Sequence, residues 1–150
     1  MVISVREQAL AGLHEALLGV AAEVPGVTVY RNEDTDIGVF PALNLLDAES
    51  VQRVVERAGE ATLYALEVTI EGAVSAATPA ETGPALSALY AATLRSAKAA
   101  EARVPAIAEV LEGETEATLV REEGIAPHAL FALSLELRFG ALHDDPFTGA

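Results

Sequence analysis

The chain has 150 residues, with 23 acidic and 9 basic side chains and no cysteine, so its formal net charge is −14. This length suits one domain, and 51% hydrophobic residues can form a core without metals or disulfides. The composition excludes thiolate and disulfide chemistry. It also disfavours tight DNA binding, which requires clustered Lys and Arg, because Lys98 is the only lysine.

The N-terminal third predicts a helix followed by two strands. Apolar residues at spacings of three and four indicate an amphipathic helix over 2–23, which Pro25 and Gly26 end. Alternating apolar residues predict a strand over 27–31. A second strand over 40–46 is apolar on both faces, which favours a central position in a sheet.

The middle of the chain is less uniform. Residues 47–59 fit either a short helix or one arm of a hairpin that turns at Ala58–Gly59, and their dense β-branched residues favour the hairpin. Residues 61–75 predict a strand with one apolar and one half-polar face. This alternation is typical of an antiparallel strand with one face in water.

A second helix is predicted after the central strands. Thr78 and Glu81 have the spacing of a capping box, and the apolar stripe behind them continues to about Ala102. Pro84 then falls in the first turns, where a missing N–H costs least.

The C-terminal part predicts two further strands. Residues 104–110 have no clear pattern, whereas 115–121 are strand-like and 128–139 alternate strictly. The apolar face of the last strand contains Phe131, Leu133, Leu135, Leu137 and Phe139. Residues 142–150 are expected to form an extended or loose tail.

These elements predict a single α+β domain over residues 1–150. A mostly antiparallel β-sheet packs against two amphipathic helices in two layers, because each element has one apolar face to bury. The longest apolar runs fall short of the roughly 18 residues that a membrane-spanning helix requires. No membrane partner is therefore expected, and the chain is expected to be cytosolic when synthesised.

The polar loop 32–38 has oxygen-bearing side chains at alternate positions, which invites a calcium hypothesis. An EF-hand loop that begins at Asn32 requires glycine at 37 and glutamate at 43, where this chain has Ile37 and Leu43. We therefore interpret the segment as a solvated loop.

The histidines give no clear metal site. His143, Asp144 and Asp145 could bind a divalent ion, but adjacent residues on a tail rarely converge on one metal. His128 follows Pro127 at a strand start and is expected at an edge or interface, and His14 on a helix flank is expected to be solvated.

Catalytic patterns are also missing from the sequence. No serine lies in a G-x-S-x-G elbow. Glu112, Glu114 and Glu116 alternate, which predicts three carboxylates on one water-exposed strand face. We therefore expect no catalytic residue, no metal and no cofactor, and we do not expect an enzyme.

Seven stretches along the chain carry a resemblance to a known family. They are 24–29 (VPGVTV) after the first helix, 40–45 (FPALNL), 64–72 (YALEVTIEG), 86–90 (LSALY) and 121–124 (REEG) with 131–137 (FALSLEL) and 145–147 (DPF). Taken from end to end, the chain resembles the tail terminator, or tail completion, proteins of long-tailed bacteriophages. Residues 47–60 and 103–113 add nothing to this resemblance.

The resemblance implies a structural virion protein at the neck of the particle, made in the host cytoplasm. Such a protein forms a ring, usually a homohexamer, that caps the tail tube, ends tube polymerisation and contacts the head-side connector. DNA passes through its lumen without specific binding. The alternatives are a counterpart in a phage-derived particle, another neck or head-closure protein, and a small ligand-binding or hydrolytic domain.

Overall fold

The computed structural model describes residues 2–34 and 38–149. Helix α1 spans Val5–Leu17 and continues as a short 3₁₀ helix, Leu18–Ala22, and helix α2 spans Pro79–Arg103. The strands in these residues are β1 (Thr28–Arg31), β2 (Ala42–Ala58), β3 (Ala61–Ser75), β4 (Glu109–Val120), β5 (His128–Leu142) and β6 (Asp145–Gly149).

All of these strands belong to one sheet with the order β1-β2-β3-β5-β4, and β6 pairs with the end of β5. The β1–β2 pair is parallel and the remaining pairs are antiparallel. Both helices contribute buried residues to the same core as one face of the sheet. The predicted α+β class, with a mostly antiparallel sheet and two helices, is confirmed.

Helix α1 begins at a defined cap. The Ser4 hydroxyl accepts a hydrogen bond from the Glu7 backbone N–H at 3.1 Å, which satisfies one of the free donors of the first turn. The buried residues of the helix are Val5, Ala9, Leu10, Leu13 and Leu17. Their spacing places one apolar stripe against the sheet, as the sequence predicts.

Strand β2 joins two segments that the sequence leaves separate. Residues 42–45 lie between β1 and β3, which confirms the predicted central position. Residues 51–58 then pair with β3 as a hairpin arm, so the short-helix alternative is wrong. The two-residue turn begins at Gly59, whose φ of 61° favours glycine.

Helix α2 has the predicted bounds but not the predicted cap. Thr78 is the N-cap residue, yet its side chain makes no capping hydrogen bond; its carbonyl oxygen instead accepts from the Glu81 N–H at 3.1 Å. Pro79 opens the helix, where a missing N–H costs little. Pro84 lies one turn further inside the helix.

Strand β4 begins at Glu109, six positions before the predicted start at 115. Contacts from α2 explain the difference. Glu101 accepts a hydrogen bond from the Val110 N–H at 2.6 Å, and Lys98 donates to the Val110 carbonyl oxygen at 2.5 Å. Val110 is fully buried, so tertiary contacts extend a strand that has no strong local pattern.

The core lies between the helices and one face of β3 and β5. The alternating residues predicted for β5 are all buried, and Phe131 packs edge-on against Tyr90 of α2 with ring centroids 6.0 Å apart. Gly72 lies opposite Phe131, and a Cβ atom there would overlap the Phe131 ring. Residues after 142, expected to form an extended tail, include β6.

Candidate assembly surfaces

One edge of the sheet is covered only in part. Strand β1 pairs with β2 only at 42–45, and the Asn32 side chain accepts the N–H groups of Asp47 and Ala48, so residues 49–58 of β2 have no neighbouring strand on that side in the part of the chain that the structure describes. Val51 is 65% exposed and Val54 is 44% exposed, although both lie on a strand. Edge strands with free backbone groups are common sites of strand pairing between chains.

The opposite edge is formed by β4, which has no outer strand along 109–120 among the described residues, although Lys98 and Glu101 of α2 bind the Val110 backbone. Residues 112–119 are exposed on both faces. This strand has four glutamates, Glu109, Glu112, Glu114 and Glu116, and no basic residue. The two edges therefore differ in charge, because 51–58 of β2 contains Arg53, Glu56 and Arg57.

A β-bulge changes the predicted placement of the β4 glutamates. The register shifts between Glu112, which pairs with Leu135, and Thr115, which pairs with Leu133. The extra residue turns Glu112 toward the helix side and Glu116 toward the opposite face. The prediction of three carboxylates on one face is therefore wrong, although all three glutamates are exposed as expected.

Each edge is held by polar contacts to its neighbours. On the helix side, the Tyr90 hydroxyl donates a hydrogen bond to Glu112, and this contact raises the pKa of Tyr90. On the opposite face, Glu136 accepts hydrogen bonds from Arg53 at 2.5 Å and Arg138 at 2.8 Å. Partial burial opposes ionisation of Glu136, but the two guanidinium groups lower its pKa overall.

A partly buried ion-pair network joins α1 to the middle of β2. Arg31 donates two hydrogen bonds to Glu7, at 2.7 and 2.9 Å, and two to Asp47, at 2.9 and 3.1 Å. Asp47 is 6% exposed. Asn32, with φ 52°, accepts the Asp47 N–H at 2.8 Å and donates to the Asp47 carboxylate at 3.0 Å.

The network fixes the charge of both carboxylates. Hydrogen bonds from Arg31 lower the pKa of Glu7. Burial opposes ionisation of Asp47, but the Arg31 and Asn32 contacts outweigh it and lower the pKa of Asp47. No sequence motif indicates this network, because Arg31 lies 16 positions from Asp47 and 24 from Glu7.

An open groove of about 560 Å³ lies on the sheet face that the helices leave uncovered. Phe40, Asn44, Glu71 and His128 are among its lining residues. His128 starts β5 between β3 and β4, so the edge alternative is wrong, whereas the interface alternative stays a prediction; the His128 ring lies 5.5 Å from that of Phe40. Of the loop considered for calcium, residues 35–37 lie outside the described residues.

The remaining histidines and acidic residues do not converge. His143 Nδ1 lies 3.4 Å from Thr62 Oγ1, whereas the Asp145 carboxylate accepts hydrogen bonds from Phe147 and Thr148. His14 is half-buried, and its Nε2 has no partner in residues 2–34 and 38–149, so the expectation of a solvated side chain is wrong. In those residues no three His, Asp or Glu side chains are placed to hold one metal ion.

The comparisons with known proteins support the fold. No protein-family model matches the sequence, and no curated protein matches it. A solved chain from the structure titled "Virion of native gene transfer agent (GTA) particle" is similar to this chain with a TM-score of 0.52 and 14% identity. The similarity covers 87% of this chain and 93% of that chain. Among the described residues, neither helix has the length and apolar character needed to cross a membrane.

Proposed function

We propose that this chain is a structural component of a phage-like particle, in which a ring of copies caps the tail tube. The observation that carries the proposal is the shared fold with a chain of a gene transfer agent virion, over nearly the full length of both chains. The resemblance of the sequence to tail terminator proteins supports the same role. In this role the ring ends tube growth and contacts the head-side connector.

The surface of the protein supports an assembly role in preference to catalysis. Free strand edges lie on both sides of the sheet, and exposed valines occur on one of them. The described residues bring no nucleophile, base and charge-stabilising group together in the groove, which is lined by Glu33, Asp34, Asn44, Glu71 and His128 among others. Six copies would carry a formal charge of −84, six times the −14 of one chain. A negative wall repels DNA phosphates, so DNA could slide past it.

Mass measurement of the purified protein, alone and with tail tubes of the same particle, tests the proposal. We expect a closed oligomer, bound at one end of each tube in electron micrographs, and tubes of limited length when the protein is present during polymerisation. An unrelated acidic protein of similar mass is the control. A chain that stays monomeric and neither binds tubes nor limits their length would overturn the proposal.

The same experiment separates the tail terminator from a neck or head-closure protein. A terminator binds the end of the tail tube when no head is present. A head-closure protein binds the portal side of the head and leaves tube length unchanged. Binding to isolated heads alone would assign the chain to the head side of the neck.

A further inference from the structure

We propose that neighbouring copies in the ring join edge to edge, with residues 51–58 of β2 in one copy paired antiparallel to residues 111–118 of β4 in the next. In this register Arg53 lies opposite Glu116 and Arg57 lies opposite Glu112. The inference rests on the proposed function, because it describes the interface of the proposed ring.

The directions of the two edges fit this pairing. Along the sheet order β2-β3-β5-β4 every neighbouring pair is antiparallel, so β2 and β4 of one chain run in opposite directions. A rotation about the ring axis that carries one copy to the next without turning it over therefore places β4 of one copy antiparallel to β2 of the next. The same rotation keeps the helices of all copies on the same side of the sheet.

The faces of the two edges also match. Arg53 pairs with Ala65 on the face away from the helices, and Glu116 pairs with Ala132 on that same face. Arg57 pairs with Thr62 on the helix side, where Glu112 pairs with Leu135. Both edges have one extra residue between their two charged positions, at the bulges 54–56 and 112–115, so the alternation stays in phase.

The charges on the two edges favour the β2–β4 contact over a symmetric contact between two β4 edges. Two β4 edges placed together would bring four glutamates from each copy into one interface, and like charges opposite each other destabilise a strand pair. Opposite charges across the β2–β4 contact stabilise it. Because the two partner surfaces differ, the contact is heterologous, and a heterologous contact closes into a ring when its rotation allows.

The offset between the edges agrees with a closed sheet. Within one chain, cross-strand pairing aligns Arg53 with Ala65, Arg138 and finally Glu109 on β4. Pairing Arg53 with Glu116 of the next copy instead moves that copy along the strand direction. The movement is about six regular positions, because one of the seven residues from 109 to 116 is taken up by the bulge. That shift is roughly 20 Å along the strands, and four strands are roughly 19 Å wide. The strands would then tilt by about 45° from the ring axis, near the range of about 35–45° that closed sheets show.

Charge reversal tests the interface. One variant has R53E and R57E, and the other has E112R and E116R. Each variant alone places like charges at every contact, so we expect loss of the ring in native mass spectra. A mixture of the two places opposite charges at every contact, and we expect rings of alternating copies. Circular dichroism checks that each variant keeps its fold.

A disulfide test gives an independent result in a chain that has no cysteine. Arg53→Cys with Glu116→Cys should give a ladder of cross-linked chains on a non-reducing gel, ending at the ring size. Arg95→Cys with Glu116→Cys is the matched control, since Arg95 lies exposed on α2, away from both edges, and should give no ladder.

The outcomes separate this inference from the proposed function. A wild-type ring that tolerates both charge variants and shows no Arg53–Glu116 cross-link overturns the interface and leaves the ring intact. A wild-type chain that forms no ring, alone or on tubes, overturns the proposed function itself. Loss of the ring in each variant with recovery on mixing supports the interface.

Discussion

Arg31 connects three elements at the residue scale. From β1 its guanidinium reaches Glu7 on α1 and Asp47 on β2 with four hydrogen bonds. Bidentate guanidinium–carboxylate contacts fix orientation as well as charge. The network therefore joins α1, β1 and β2 at the point where β2 leaves its pairing with β1.

Replacing Arg31 with alanine should lower the free energy of unfolding by about 2–3 kcal/mol, because the nearly buried Asp47 carboxylate loses its counter-ion. Arg95→Ala is the control. Arg95 is 71% exposed and pairs with Glu23, so its loss should change stability by no more than about 0.5 kcal/mol. Urea unfolding followed by circular dichroism measures both. Equal effects of the two variants would contradict a structural role for the network.

Acid should weaken the domain through the same two carboxylates. The folded pKa values of Glu7 and Asp47 lie below their ordinary values of 4.5 and 3.8, so their stabilisation is complete above about pH 5. It is lost as the pH falls through the lowered folded values. We expect Arg31→Ala to lose less stability than the wild type between pH 5 and pH 3 in urea titrations. If the free energy of unfolding had the same pH dependence in both proteins, the acid sensitivity could not be assigned to Glu7 and Asp47.

Gly72 is required by the close approach of Phe131. Because an added Cβ would overlap the Phe131 ring, Gly72→Ala should destabilise the domain by about 1–3 kcal/mol. Gly19→Ala is the control, because Gly19 is exposed in the 3₁₀ helix and an added Cβ would make only an ordinary 3.8 Å contact with the Ser96 hydroxyl; it should stabilise the domain or leave its stability unchanged within about 0.5 kcal/mol. Thermal unfolding compares the two variants. A Gly19→Ala variant that is as destabilised as Gly72→Ala, or a neutral Gly72→Ala, would contradict this account of the packing.

At the scale of elements, helix α2 contains an internal proline that removes one of its backbone hydrogen bonds. Pro84 has no N–H to donate to the Ala80 carbonyl, and it lies inside the helix instead of at its first position. Pro84→Ala should therefore raise the free energy of unfolding by about 1–2 kcal/mol. Pro79→Ala at the helix start should have little effect or a small cost. Urea unfolding measures both variants, and the unfolding midpoint of Pro84→Ala should be the higher of the two.

Strand β2 shows how two environments act on one element. Its first residues lie between two strands and are buried, whereas its second half is an exposed edge. The bulge at 54–56 and the charges at Arg53 and Arg57 discourage indiscriminate pairing. They also leave a defined register for a complementary edge, which is the property that the proposed interface uses.

At the scale of the whole molecule, the net charge of −14 governs the response to DNA. We expect no retardation of duplex DNA in gels by the protein or its ring, even at about 50 mM salt, where phosphate contacts are strongest. The E112R and E116R variant, whose formal charge is −10 and which should not form a ring, serves as the control for a free chain of lower charge. Retardation by the wild type that falls steeply with salt would contradict a lumen that DNA passes freely.

The elements with strong periodicity were predictable from the amino-acid sequence alone. Strands β3 and β5 and helix α2 lie where alternation or a helical stripe predicts them, because burial of one face depends on local spacing. The α+β class followed from these elements, since each of them has an apolar face to cover. The absence of cysteine and the excess of acidic residues also needed no structure to interpret.

Which strands are neighbours could be seen only in the folded chain. The edge position expected for His128 failed because strand order depends on pairing between distant segments. The start of β4 depends on contacts from Lys98 and Glu101, and the faces of its glutamates depend on one bulge. The sequence thus determined what each element must bury, whereas packing decided which edges stay free for another chain.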